Sequence, residues 1–307
     1  MRTDALIIEG PEGYDPTTEE YDYPPMHRQI KTLLLAKPFR VLITGDKSMK
    51  AVVKKCTRLG ADFYYPGVLS YKWLKEANSF FCGLKYLREK CDRILIVPAN
   101  YPFVNTETYR QVMDSDAELA VASYNGERGW PVLISTALIP ELLQLGGLDA
   151  LLEANEGAVA VIETDDVGVT ADVCADGFTA EREQELVKSH SLHKIHPSIN
   201  LSMSRENAFY GRGMVQILRL ADETKVLLEV WRMMGMAANH GWKIIRRMQK
   251  GLEKPLIDTA RGRVPVATDL TDEGREYAMR LAQWFEEGDA YLRKSFEDNL
   301  APFFDEK

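Results

Sequence analysis

The stretch DRILIVPAN, residues 92–100, decides the fold. Its centre, Ile94–Val97, is apolar on both alternating faces and rich in β-branched residues. It closes on Pro98, Ala99 and Asn100, too soon for a helix. A short run that is apolar on every side reads as a strand inside a sheet covered on both faces. Two earlier stretches share the pattern, DALIIEG (4–10) and RVLITGD (40–46). Two later ones, ELAVASYNG (118–126) and GAVAVIETDD (157–166), continue it. Between the first three lie segments of helical periodicity: HRQIKTLLLAKP (27–38), SMKAVVKKCTRLG (48–60) and YKWLKEANSFFCGLKYLREK (71–90). Strands alternating with helices predict an α/β domain built on a parallel sheet. Such sheets take ligands beyond the carboxyl ends of their strands. That directs attention to residues 10–28, to 100–106 and to the loops after Ser123 and Asp166.

Outward from this core, the composition is ordinary for a globular chain of about two domains. The 307 residues are 45% hydrophobic and 27% charged, which excludes intrinsic disorder and a collagen-like sequence. No apolar run approaches the roughly 20 residues that span a bilayer, so no membrane partner is expected. The opening MRTDALIIEG holds an apolar stretch too short for a secretory signal. Cys56, Cys82, Cys91 and Cys174 show no metal spacing, and a cytoplasmic protein with reduced thiols is the expectation. The net charge of −8 argues against nonspecific nucleic-acid binding by the whole molecule. The charge is uneven: residues 1–190 carry about −9, residues 191–265 about +7 and residues 266–307 about −6. A basic segment between acidic ones suggests an anion-binding face; a solvated helix surface is the plainer alternative.

Past residue 185 the pattern changes. KSHSLHKIHPS (188–198) is polar and reads as a linker. Its His190, His193 and His196 recur every three residues, a spacing that could hold a metal, although Pro197 interrupts it and no carboxylate is near. Helical periodicity then covers 212–222, 226–234 and 237–250, with Gly235 separating the last two, the pattern of a helix-turn-helix. LIDTARGRVPVATDLT (256–271) reads as a two-stranded wing. A long helix follows from Asp272 to Leu300, with Tyr277, Leu281, Trp284, Phe285, Leu292 and Phe296 near one stripe. On the third helix of the trio, Gly241, Ile244, Ile245 and Met248 point inward. Lys243, Arg246, Arg247 and Lys250 share another face at i, i+3, i+4 and i+7. Four cations in a row suit the phosphates of double-stranded DNA. Ala237 and Ala238 cannot read a base edge, so direct readout falls to Asn239 and His240.

Two resemblances cover most of the chain. Residues 4–180 resemble the molybdenum-cofactor guanylyl- and cytidylyltransferases. The matching segments are VLITGD, GLKYLREKCDRILIVPANYPFVNTETYRQV, SYNGERGWPVLIS, GGLDALL and DDVGVTADVCADGF. Residues 196–300 resemble the winged helix-turn-helix of molybdate-dependent transcriptional regulators. That match runs through INLSMSRENAFYGRG, LRLADET, GWKIIRRMQKGLEKPLI and LTDEGREY. The resemblance implies a Rossmann-like nucleotidyltransferase domain over 1–185. It implies a winged helix-turn-helix domain over 186–307, homodimeric through its long C-terminal helix.

The departures from these families set the functional expectation. The transferases end their first strand in a Gly-rich loop with an Arg and a Lys that cradle a triphosphate. Here the segment is EGPEGYDPTTEEYDYPPMHRQIK (9–31): Gly10 and Gly13 remain, amid Glu9, Glu12, Asp15, Glu19, Glu20 and Asp22. Each close like charge costs roughly 1 kcal/mol in a water-like dielectric. Arg28 and Lys31 are the cations left to replace the lost pair. The magnesium-holding Asp of the family is Asn100, which brings no charge to a hard cation. The family His before proline is Trp130, and Asp172 persists with Cys174 two residues on. Asn78, Ser79, Tyr124, Asn125 and Arg128 are further polar candidates around a nucleotide or pterin. In the winged helix, bulky Trp231 follows Val230 where relatives carry a small residue. Arg261 and Arg263 replace a Gly-rich wing and suit phosphates or a minor groove. Leu227, Leu228, Met233, Met234 and Met236 make the trio unusually apolar and suggest a buried interface.

The expectation is a molybdenum-cofactor-related, nucleotidyltransferase-like regulator or sensor with weakened or lost catalysis, holding Mg2+ weakly through Asn100 and Asp172. Its first rival is an active transferase that adds GMP or CMP to molybdopterin and releases pyrophosphate. Its second is a non-enzymatic interaction scaffold.

Overall fold

The computed structural model describes residues 1–16, 24–45, 56, 60–64, 79–198, 203, 212–259 and 268–305. The chain forms two compact units, Met1–Lys194 and Ile195–Lys307. Among the described residues no helix is long and apolar enough to cross a membrane.

The first unit is built on seven strands: β1 (Thr3–Ile8), β2 (Val41–Thr44), β3 (Asp62–Tyr64), β4 (Arg93–Pro98), β5 (Leu119–Tyr124), β6 (Glu127–Ser135) and β7 (Ala160–Thr164). Their order across the sheet is β3-β2-β1-β4-β6-β5-β7. The five apolar stretches each contain one of these strands. β1 pairs in parallel with both β2 and β4. The expectation of an all-parallel sheet is corrected at β6, which runs antiparallel to β4 and β5. The cause is local. Asn125 (φ 51°) and Gly126 (φ 78°) link β5 to β6 in two residues. Positive φ at both central positions reverses the chain into a tight hairpin, whereas a parallel neighbour needs a crossover of about a dozen residues. The mixed sheet is flanked by the helices Pro25–Ala36, Ser79–Leu87 and Thr106–Asp114. The expected helix at 48–60 lies outside the described residues except for Cys56 and Gly60.

The buried core joins Ala5, Ile7, Ile43, Leu95 and Val97 on the strands to Met26, Ile30, Leu33, Tyr109 and Val112 on the helices. At the amino end of the sheet one charge is fully enclosed. The Asp4 carboxylate has no solvent exposure, and Arg40 Nε lies 3.0 Å from it, itself enclosed. Arg2 Nε approaches the same carboxylate at 3.2 Å from a more open position. The Arg40 guanidinium also lies over the Tyr86 ring at 5.8 Å.

The expected linker is partly pinned. The helix Ala180–Ser189 starts where Thr179 Oγ1 accepts the Arg182 N–H at 3.2 Å. Beyond it His190 is buried at 1% exposure. Its Nε2 donates to Val104 O and its Nδ1 accepts from Leu192 N, each at 3.3 Å. Ser191 N donates to Asn105 Oδ1 (2.6 Å), and Ser191 Oγ accepts the Thr106 N–H (3.2 Å). With both ring nitrogens of His190 engaged inside the unit, the histidine trio does not form a metal site. Among the described residues no cluster of three His, Cys, Asp or Glu could hold one.

The second unit holds the helices Arg212–Thr224, Leu227–Met233 and Ala238–Leu252. The strands β8 (Ile257–Thr259) and β9 (Thr268–Leu270) follow, paired antiparallel, and then the helices Asp272–Asn299 and Ala301–Asp305. Its core gathers Ile217, Leu220, Val230, Trp231, Ile245 and Met248. A side-chain carbon at Gly241 would stand 2.6 Å from the Trp231 ring, so the bulk of Trp231 is accommodated by the glycine facing it. Leu227, Met233 and Met234 are also buried here; Leu228 is exposed. Thr271 Oγ1 caps the long helix by accepting the Gly274 N–H at 3.0 Å.

Candidate functional site

The strand order fixes where a ligand crevice opens. From β1 the chain moves to β2 and β3 on one side and then returns to place β4 on the other. The gap beyond the carboxyl ends of β1 and β4 is therefore the topological switch point, where open α/β sheets bind ligands. Ala99 N donates to Ile8 O at 2.9 Å and ties the two strand ends together there. Buried Gln29 steadies the second of them: its Nε2 donates to Pro98 O (2.7 Å) and to Tyr101 O (3.2 Å).

The segment after β1 folds back into this gap. Tyr14 N donates to Pro11 O at 3.1 Å, and Gly13 takes a left-handed φ of 84°. Tyr14 OH then donates to Ala99 O at 3.4 Å. A carbon added at Gly10 would stand 2.7 Å from the Tyr14 ring and 3.5 Å from Asn100 Cβ. Gly10 is thus filled over by the chain's own aromatic ring. Tyr14 packs both on the main core and on a smaller cluster of Phe103, Val173 and Leu186.

Asn100 and Asp172, the two expected metal ligands, are brought together as a hydrogen-bonded pair. Asn100 Nδ2 donates to Asp172 Oδ1 at 2.7 Å, and the same oxygen accepts the Cys174 N–H at 2.8 Å. Val173 N donates to Asn100 O at 3.0 Å, stitching the two segments along their backbones. An amide that turns its N–H toward the Asp172 carboxylate does not present, among the described residues, the oxygen-rich cage a hard divalent cation requires. These residues therefore do not fit the magnesium site that the resemblance implied. Burial and then the Asp172 charge push the Tyr101 phenol above its usual range, and the same two causes raise the Cys174 thiol. The Tyr101 ring, next to Asn100 in the chain, lies 6.1 Å from the Trp130 ring, centroid to centroid.

The other nucleotide candidates are dispersed. Arg28 is buried, with its guanidinium 5.0 Å from the Phe103 ring centre. Lys31 is exposed on the solvent side of the same helix. Ser79 Oγ donates to Glu9 Oε2 at 3.2 Å, and Asn78 lies outside the described residues. Asn125 and Arg128 sit exposed on the hairpin, Asn125 as a turn residue. Ser123 Oγ donates to Glu163. Asp166 is a structural hub: it accepts from Asn105 N (2.7 Å), Asn105 Nδ2 (2.9 Å), Thr108 Oγ1 (2.7 Å) and Gly168 N (2.9 Å). Sequence reasoning missed Tyr14, Gln29 and Tyr101. Nothing in the local pattern singles out Tyr14 from the acidic loop around it.

In the second unit Lys243, Arg246, Arg247 and Lys250 are all exposed along one helix. None of the four has an ion-pair partner among the described residues, whereas Arg219, Lys225, Arg275, Arg280 and Arg293 are each paired with a carboxylate. Asn239 and His240 are exposed at the start of that helix. Arg261 and Arg263 lie outside the described residues.

Residues 22–165 match the family described as the MobA-like NTP transferase domain. Among solved structures, a nucleotidyl transferase from Methanothermobacter thermautotrophicus aligns with a TM-score of 0.51 at 12% identity, over 62% of this chain and 99% of that one. A Mycobacterium tuberculosis protein crystallised in complex with manganese aligns at 0.48 and 17% identity, over 62% of this chain and all of the other. No curated protein matches the chain in sequence. The first unit thus has a nucleotidyltransferase-like fold, and at such identities the structural likeness speaks to fold alone.

Proposed function

We propose that the first unit keeps the nucleotidyltransferase fold without metal-dependent transfer and serves as a sensor of a nucleotide or pterin. In this reading the second unit is a winged helix-turn-helix that holds double-stranded DNA, and the protein regulates molybdenum-enzyme metabolism. The observation that carries it is the Asn100–Asp172 hydrogen bond. Nucleotidyl transfer relies on cations that neutralise a polyphosphate and hold it in line for attack. At the switch point the Asn100 amide and the Asp172 carboxylate satisfy each other instead. Incubation of the full chain with molybdopterin, magnesium and GTP or CTP is expected to release no pyrophosphate above the protein-free blank. Turnover at saturating nucleotide would establish the rival reading of an active transferase.

The cation stripe, without ion-pair partners among the described residues, supports the DNA half. Each phosphate contact displaces condensed counterions, so log affinity falls with log salt by about 0.9 for each contact. The double variant Arg246→Ala/Arg247→Ala is expected to flatten that slope by roughly 2, with uniform weakening across sequences. Absence of duplex binding even at low salt would leave the scaffold reading, in which a protein partner is the ligand. The long helix, with Trp284 and Tyr291 exposed, is the proposed homodimer element.

A further inference from the structure

The helix Ala238–Leu252 exposes Asn239, His240, Lys243, Arg246, Arg247 and Lys250, and its sequence contains no carboxylate. We propose that Asn239 is the residue through which the second unit reads sequence, and that it recognises one adenine in the major groove of double-stranded DNA. This deepens, and rests on, the DNA-binding half of the function proposed above.

The assignment follows from how the helix is held. Gly241, Ile245 and Met248 are its buried residues and mark the inward face. The close fit of Gly241 against the Trp231 ring sets the start of the helix hard on its neighbour. Farther along, Gln249 Oε1 accepts the Leu256 N–H (3.0 Å) and the Ile257 N–H (3.2 Å), which fixes the entry to β8 on the same helix. With about 100° between successive residues, Asn239, Lys243 and Lys250 point away from the inward face, within about 40° of one another. Arg246 and Arg247 stand about 50° to either side of that midline, and His240 about 70° off it. A helix laid in the major groove meets base edges with the N-terminal residues of its outward face, while flanking cations hold phosphates and carry no sequence information. Asn239 is the first residue on the midline. Ala237 and Ala238, exposed just ahead of it, add no side-chain hydrogen-bonding group that would compete. The Asn239 side chain is exposed and has no hydrogen-bond partner among the described residues. An asparagine amide sets a donor beside an acceptor, the complement of adenine N7 and N6.

The test is a binding selection with the full chain at low salt, on a pool of duplexes randomised at their central base pairs, with the bound fraction sequenced. The unaltered chain is expected to favour adenine at one position of its site about 5- to 100-fold over the other bases. Asn239→Ala is expected to lose that preference at that position alone, and to bind duplexes lacking the adenine within a few-fold of the unaltered chain. Asn239→Asp is expected to move the preference there to cytosine, whose N4 amine donates to a carboxylate, a change that a merely structural role would not produce. His240→Ala should keep the adenine. Because Asn239 is exposed, these variants are expected to fold, which circular dichroism checks. An adenine preference that survives in Asn239→Ala overturns the proposal, as does duplex binding by the unaltered chain with no preference at all; both leave the DNA-binding half standing. No binding to any duplex sinks that half itself, and this assignment with it.

Discussion

Replacing Arg40 with methionine is expected to remove about 3 kcal/mol of stability from the first unit, read as a lower urea midpoint with an unchanged slope. The Asp4 carboxylate is wholly enclosed, and Arg40 Nε at 3.0 Å is its buried counter-charge. Taking the cation away leaves a buried anion with the Arg2 guanidinium, about one-third exposed, beside it at 3.2 Å. A charge in that position has no water to turn to, and the cost of stranding it exceeds the worth of the pair itself. The double variant Asp4→Leu/Arg40→Met removes both charges and should regain most of the loss. A single variant as stable as the unaltered chain would mean that Arg2 or solvent already neutralises Asp4.

The second large effect is a loss of stability in mild acid, caused by His190. Burial, and then the Arg28 guanidinium, push its pKa down from 6.5 to about 4, opposed by the hydrogen bond to Val104 O. Below pH 6.5 the unfolded chain takes up a proton at this residue that the folded chain refuses. The stability tied to neutral His190 is therefore complete above about pH 6.5 and is lost progressively as the pH falls toward 4. Between pH 7.5 and 5 the loss from this one group is about 2 kcal/mol. His190→Gln keeps a hydrogen-bonding side chain without a titrating ring and should flatten stability across that interval. An equal pH response in both proteins would show that His190 is not its source.

The sheet was largely legible because burial on both faces writes itself into composition. Each run such as Ile94–Val97 has nowhere polar to face, and all five runs became strands. The antiparallel strand was missed although its signal was present. Asn125-Gly126 between two apolar stretches is a strong hairpin mark, but Gly129, Trp130 and Pro131 interrupt the alternation that identifies a strand. β3 was missed because three residues carry no period. At the site, residue types showed that a carboxylate had become Asn100 and that acids had replaced cations. They could not show that Asn100 and Asp172, 72 positions apart, would bond to each other. Nor could they show that Arg28 would lie against Phe103, or that Tyr14 would turn inward. Those outcomes depend on how loops close over a finished sheet. His190 and Ser191 illustrate the same limit, since a polar stretch reads as a tether until its partners are known.

That last stretch has a mechanical consequence. His190 and Ser191 fasten the chain to Val104, Asn105 and Thr106 only a few residues before Ile195, where the second unit begins. Asn105 is in turn clamped by Asp166. Any opening of this stretch has to break the bonds at that clamp, beside the end of β4. The carboxyl end of the first unit is thus a rivet set next to the crevice.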